Sequence, residues 1–211
     1  MYMGTPHVSH RMSLVSQLPN DVRSAVSQHL QEHLAVVSKL DTQLGDQIVD
    51  VARLIAKALA SGNILYWCGN GGSASDSQHL AAEFIGRFRN NRRPLASVAL
   101  TTDTSVITCV ANDFGYDQIF VRQVEALCRK GDVLVAISTS GNSRNVVEAV
   151  KSATQLGVTT VGLLSATGGA LRELVTYPLL VPSTSTARIQ ESHILIGHML
   201  CDLVERELGI A

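Results

Sequence analysis

The sequence predicts an α/β fold, a five-stranded parallel sheet flanked by helices with an N-terminal helical arm. Three observations predict it. From residue 62 onward, five short apolar runs alternate with helical stretches. Each run ends in a polar or glycine-rich turn, and the segment before the first run carries apolar residues at three- and four-residue steps. With 211 residues, 45% of them apolar and 17% charged, the chain can bury a core as a single domain over residues 19–211. A disordered or fibrous protein is excluded.

Residues 1–18 are expected to form a disordered tail, with Met12 as a second candidate start. They hold no apolar h-region, and nowhere do about eighteen apolar residues run together, so neither secretion nor membrane spanning is expected. Val22, Val26, Leu30, Leu34 and Val37, then Leu44, Ile48, Val51, Leu54, Ile55 and Leu59, predict two amphipathic helices over residues 20–61. Asp41–Gly45 is expected to break them, and Ser61-Gly62-Asn63 supplies the glycine that ends the second.

The α/β core spans about residues 55–211. Its strands are expected at Ile64–Cys68, Ser97–Leu100, Val133–Ile137, Thr160–Leu164 and Leu179–Val181, and its last helix at about Thr186 to Leu208. In such a sheet, ligands bind beyond the carboxyl ends of the strands.

Seventeen basic and eighteen acidic side chains leave a net charge of −1. That balance lacks the electrostatic footprint of a nucleic-acid or anionic-membrane binder. The nine aromatic residues, 4% of the chain, argue against base-stacking platforms. Cys68, Cys109, Cys128 and Cys201 form no C-x-x-C pair and sit in apolar surroundings, which points to reduced core cysteines and a cytoplasmic protein.

Two strand-to-helix junctions resemble each other: Ile64–Cys68 running into Gly69-Asn70-Gly71-Gly72-Ser73, and Val133–Ile137 running into Ser138-Thr139-Ser140-Gly141-Asn142-Ser143. Small residues let backbone N–H groups approach an anion, and the positive end of each helix dipole favours it. Capping alone would also place Ser, Gly and Asn in one such turn; two related loops in one sheet favour a phosphate-bearing ligand. Gly69 to Ala74 also fits the G-x-G-x-x-A dinucleotide fingerprint. The acidic residue that should follow about twenty residues later is missing, since Asp103 comes some thirty residues on.

Several polar groups could carry chemistry. His79 and Glu83, at i and i+4 on the helix opened by the first glycine loop, can share a metal or a substrate, with Asp76 one turn before to orient the histidine. On an ordinary helix surface the same spacing is only a side-chain pair. His29 and His33 match an H-x-x-E-H metalloprotease pattern, but no separate acidic ligand accompanies them. The last helix carries Arg188, Gln190, Glu191, His193 and His198 among apolar residues, and such groups need partners. Gln190 and His198 are about 12 Å apart along a straight helix axis. Both reach one ion only by stretching inward, or from different subunits.

Cys68–Ser73 followed by Asp76–Phe84, Ala111–Gly115, Ile137–Ser143 and Arg188–His193 closely resembles the sedoheptulose 7-phosphate isomerases (phosphoheptose isomerases) of the sugar isomerase (SIS) superfamily. The match runs from about Leu34 to Leu208. The resemblance implies a flavodoxin-like SIS fold and a homotetramer with active sites at subunit interfaces. It implies one Zn²⁺ per subunit and conversion of sedoheptulose 7-phosphate to D-glycero-D-manno-heptose 7-phosphate, the first step of ADP-heptose synthesis for bacterial surface glycans.

Carried onto matching positions, the metal ligands are His79, Glu83, Gln190 and His198. The substrate contacts are Asn70, Gly71, Gly72, Ser73, Glu83, Asn112, Asp113, Ser138, Thr139, Ser140, Ser143 and Gln190, and the catalytic pair is Glu83 and His198. The chain departs from several relatives at Ala187, where they carry an acidic residue; the departure bears on one polar contact, not on the reaction class. A non-enzymatic member of the superfamily, an adaptor of the bacterial replication initiator, looks non-catalytic at the positions of Glu83 and His198. Both residues are kept here, which favours the isomerase.

Overall fold

A computed structural model describes residues 20–211; the expected tail over 1–18 and the candidate start at Met12 lie outside the described residues. The chain runs α1 (Asn20–Ala60), β1 (Leu65–Gly69), α2 (Gly72–Ile85), β2 (Ser97–Ala99), α3 (Thr104–Phe114), α4 (Val121–Leu127), β3 (Val133–Ser138), α5 (Arg144–Gln155), β4 (Thr159–Leu164), β5 (Tyr177–Leu180) and α6 (Thr186–Glu207). All five expected strands form, within two residues of their expected ends.

The strands make one parallel sheet in the order β2-β1-β3-β4-β5, a flavodoxin-like arrangement. Chain order reverses between β1 and β3, so the ligand crevice of such a fold opens between their carboxyl ends. The two small-residue loops stand there.

Strand residues divide by parity between two cores. Leu65, Trp67, Val133, Val135, Ile137, Val161 and Leu163 pack under α1, α2 and α6. Tyr66, Cys68, Leu134, Ala136 and Leu164 pack under α3, α4 and α5. Burial of both faces is why these strands read as continuous apolar runs rather than alternating ones. The indole N–H of Trp67, fully buried, donates to Ser97 Oγ at 2.9 Å.

The expected break at Asp41–Gly45 does not occur: α1 is a single helix of 41 residues. Its buried stripe, Val36, Leu40, Leu44, Ile48, Val51, Ile55 and Leu59, continues through the polar cluster without losing helical spacing. A glycine inside a helix costs about 1 kcal/mol. Each fully buried Leu or Ile returns about 1.5–3 kcal/mol, so burial decides. Ser61 and Gly62 end the helix as expected, Gly62 with φ 83°.

Polar groups also pin α1 to α6. Arg188 donates to the His29 carbonyl and to Glu191 Oε1, and His33 Nδ1 lies 2.7 Å from Glu191 Oε2. Of the H-x-x-E-H run, the His33 side chain and the His29 carbonyl thus serve helix packing. Of the cysteines, Cys68, Cys128 and Cys201 are buried as expected, whereas Cys109 is exposed on α3, where its position faces away from both cores; all four are free.

Candidate active site

The first loop ends β1 at the sheet's reversal point. Gly71, with φ 56°, leads into α2 without any side-chain cap, and α5 likewise opens after Ser143 uncapped. α3, by contrast, is capped by Asp103, whose carboxylate accepts the Val106 N–H at 3.0 Å. The helices that follow β1 and β3 therefore start without a bond from the side chain of their N-cap residue, and a helix N-terminus favours an anion.

In the second loop, Ser138 Oγ accepts the Gly141 N–H at 3.1 Å and lies 3.3 Å from Ser143 Oγ. The Asn142 N–H donates to Ser140 Oγ at 3.1 Å. Gly141 sits at φ 65°, and a Cβ there would stand 1.9 Å from the Gly168 carbonyl oxygen, so only glycine fits. Beside the loop, Thr139, Ser140, Ser165, Thr167, Thr184, Thr186 and Ile189 line a cleft of about 290 Å³. Six of those seven residues carry hydroxyls, a donor-rich wall suited to a phosphate monoester.

Asn70 faces this loop across the crevice. Its amide exchanges two hydrogen bonds of 2.8 Å with Asn145, and its Oδ1 also accepts the Tyr116 hydroxyl at 3.0 Å. Ser73 turns inward and is buried beneath the loop. Gln190 comes from α6: a Cβ on Gly72 would stand 2.6 Å from its Nε2, so glycine lets the amide close on the loop.

At the other end of α2, His79, Glu83 and His198 converge. One ligand atom from each lies within 4.8 Å of the others. His79 Nε2 is 3.1 Å from Glu83 Oε1, and the His79 and His198 rings meet edge to face with centroids 5.1 Å apart. Phe88 stacks on the other side of His198 at 5.4 Å. α2 and α6 approach closely here because residue 197 is glycine; a Cβ there would lie 2.5 Å from Leu80.

Burial lowers the His198 pKa below the usual histidine value, and the neighbouring His79 charge lowers it further, against a raising effect of Glu83. Asp76, one turn before His79, has its pKa raised by partial burial, with His79 opposing.

Two imidazoles and a carboxylate form the donor set of a three-ligand metal site that keeps a position open for substrate or water. Among the described residues no other group of three His, Cys, Asp or Glu side chains meets the same spacing.

Not every expected site residue joins this centre within one chain. Gln190, at the first loop, is about two helical turns from His198 along α6. Asn112 and Asp113 bond to each other and Asp113 to Cys109; all three are exposed on α3, and neither Asn112 nor Asp113 lines the clefts at the two loops. Asn145, Tyr116 and Phe88 carry no motif and were not expected from the sequence. The one available signal was Asn145, a polar residue directly before the buried Val146.

A family model described as the SIS domain matches residues 28–165. The phosphoheptose isomerase of Geobacter sulfurreducens is 52% identical over 183 residues, 87% of this chain and 97% of that protein. That of Aquifex aeolicus is 55% identical over 159 residues, 75% of this chain and 83% of that protein. The solved structure of the phosphoheptose isomerase of Neisseria gonorrhoeae superposes with a TM-score of 0.83 at 42% identity, covering 88% of this chain and 99% of that one. The chain, similar to these relatives in sequence and fold over most of its length, belongs to the phosphoheptose isomerase family of SIS-domain proteins.

Proposed function

We propose that this protein is an aldose–ketose isomerase that converts sedoheptulose 7-phosphate to D-glycero-D-manno-heptose 7-phosphate through an enediol, the step that opens ADP-heptose synthesis. One observation carries the reading: His79, Glu83 and His198 meet on α2 and α6, and the amino end of α2 belongs to the crevice that also holds the hydroxyl-lined loop. A seven-carbon chain with a phosphate at one end and a carbonyl at the other needs both.

Moving the carbonyl from C2 to C1 requires removal of a C1 proton and its return at C2. Glu83 is the base that takes and returns it, and His198 moves a proton between O1 and O2. Burial lowers the His198 pKa, which favours the neutral imidazole over the imidazolium. Each such group contributes about 10²- to 10⁴-fold in rate. Ser138, Thr139, Ser140 and Ser143 hold the phosphate, so binding energy at the far end orients C1 and C2. Asn70, Gly71, Gly72, Ser73 and Gln190 form the sugar side of the crevice, with Asn112 and Asp113 completing it in the assembled oligomer.

His79, Glu83 and His198 would hold one Zn²⁺ per subunit, with Gln190 as a fourth ligand only if it stretches or comes from a second subunit. The metal would polarise the carbonyl and lower the energy of negative charge on oxygen. The oligomer we infer is a homotetramer; Val22, Val26, Leu30 and Leu34, an apolar stripe 48–64% exposed along α1, support association of subunits. Residues 19–211 act as a single domain, and no helix among the described residues is long and apolar enough to cross a membrane. Cytoplasmic residence fits the reduced cysteines.

Incubating the purified protein with sedoheptulose 7-phosphate and following it by ¹H NMR tests the reading. The aldose C1 signal of the heptose is expected to grow to equilibrium; its absence contradicts the assignment.

A further inference from the structure

We propose that Arg92 and Glu205 are positioning residues for the His79–Glu83–His198 centre, an inference that rests on the isomerase reading above. Their ion pair, Arg92 Nε to Glu205 Oε1 at 2.8 Å, is the one among the described residues with both side chains buried, at 3% and 2% exposure. Removing two charges from water is costly, and such a pair persists only where further hydrogen bonds complete both groups.

Apart from one bond of Arg92 Nη1 to the Arg93 carbonyl at 3.1 Å, those further bonds go to the frame of the site. Arg92 Nη2 donates to the Glu83 carbonyl at 2.8 Å, and Nη1 donates to the Phe84 carbonyl at 2.7 Å and reaches that of Gly86 at 3.4 Å. The Glu83 and Phe84 carbonyls belong to the last turn of α2, where carbonyls have no partner within the helix, and Gly86 is its C-cap. Glu205 Oε1 also accepts the Phe88 N–H at 3.3 Å, and the Phe88 ring stacks on His198. Glu205 itself lies seven residues after His198, two turns along α6 on nearly the same side.

One buried pair thus ties together the helix end that carries Glu83, the helix that carries His198 and the ring that packs against His198. It touches no group that reacts. A filler of the same volume would serve packing alone, and buried pairs exchanged for apolar residues often leave stability unchanged or higher. What an apolar filler cannot do is hold three helix-end carbonyls and the Phe88 N–H at fixed positions.

The double variant Arg92→Met/Glu205→Leu separates the two roles. It is compared with the wild-type protein by circular dichroism, by Co(II) titration of metal-stripped protein followed by visible absorption, and by kinetics on sedoheptulose 7-phosphate. The expected result is an unchanged circular dichroism spectrum with Co(II) affinity weakened about 10- to 100-fold. An altered Co(II) spectrum and a kcat lowered about 10-fold or more, with KM within about twofold, complete it. A folded double variant with the wild-type Co(II) spectrum, affinity and kcat overturns the proposal.

If the double variant does not fold, Glu205→Gln and Arg92→Lys decide. Unchanged Co(II) spectra and kcat with only a lowered Tm in both would reduce the pair to a structural element and overturn the proposal. Loss of Co(II) affinity and kcat in Arg92→Lys, whose single ammonium cannot reach all the carbonyls, supports it. A wild-type protein that turns over no sedoheptulose 7-phosphate overturns the reading of the site, and this inference with it.

Discussion

Asn70 and Asn145 are joined amide to amide by two hydrogen bonds of 2.8 Å across the point where the strand order reverses. Asn70 opens the glycine loop after β1 and Asn145 lies in the first turn of α5, so the pair sets the distance between the two loops that enclose the ligand crevice.

Replacing Asn145 with Ala leaves the Asn70 amide short of a partner beside a buried position. A loss of about 1–3 kcal/mol in urea unfolding is expected. KM for sedoheptulose 7-phosphate should rise as the loops lose their spacing. Unchanged stability and KM would remove the strut from the account.

Glu83→Gln keeps the shape of the side chain and removes the base. Turnover is expected to fall about 10²- to 10⁴-fold while the fold and oligomeric state survive. Steady-state kinetics together with light scattering check it; near-normal turnover would assign the proton transfer to another group.

Ser138→Ala combined with Ser143→Ala removes two hydroxyls that lie 3.3 Å apart in the second loop. Hydrogen bonds to a charged group are worth about 1.5–3 kcal/mol, so KM should rise about 10-fold or more with a smaller change in kcat. If KM does not move, the phosphate binds elsewhere.

His193 gives a pH dependence of stability. It is fully buried, its Nε2 lies 3.2 Å from the Leu164 carbonyl, and burial pushes its pKa down to about 4. The unfolded chain takes up a proton near pH 6.5 while the folded one resists until about pH 4. This contribution is therefore fully present above pH 6.5 and is lost as the pH falls toward 4, on the order of 3 kcal/mol in all. His193→Leu should flatten the fall in urea midpoint over that window; an equally steep fall in the variant would assign the acid sensitivity to other groups.

The strands, their order of appearance and both loops were legible in the sequence because a parallel sheet buried on two faces leaves unbroken apolar runs, and an anion cradle needs small residues. The single α1 was not. Asp41 to Gly45 has the local texture of a break, and only the partner surface on α6 shows that Leu40, Leu44 and Ile48 share one stripe. His79 and Glu83 were visible as an i, i+4 pair, whereas Phe88, Arg92, Asn145 and Glu205 reach the site through contacts between segments 75 to 117 residues apart or through backbone groups, so no local pattern marks them. Gln190 shows the same limit in reverse: its motif names it for the metal, while its amide lies against Gly72 in the first loop.

The most direct measurement is turnover of sedoheptulose 7-phosphate by the protein after removal of metal with a chelator and again after addition of Zn²⁺, with metal content checked in each sample. The account predicts that conversion to the heptose phosphate is lost in the stripped protein and returns with about one Zn²⁺ per subunit. Full-rate conversion by metal-free protein, or none by the zinc-loaded one, would contradict it.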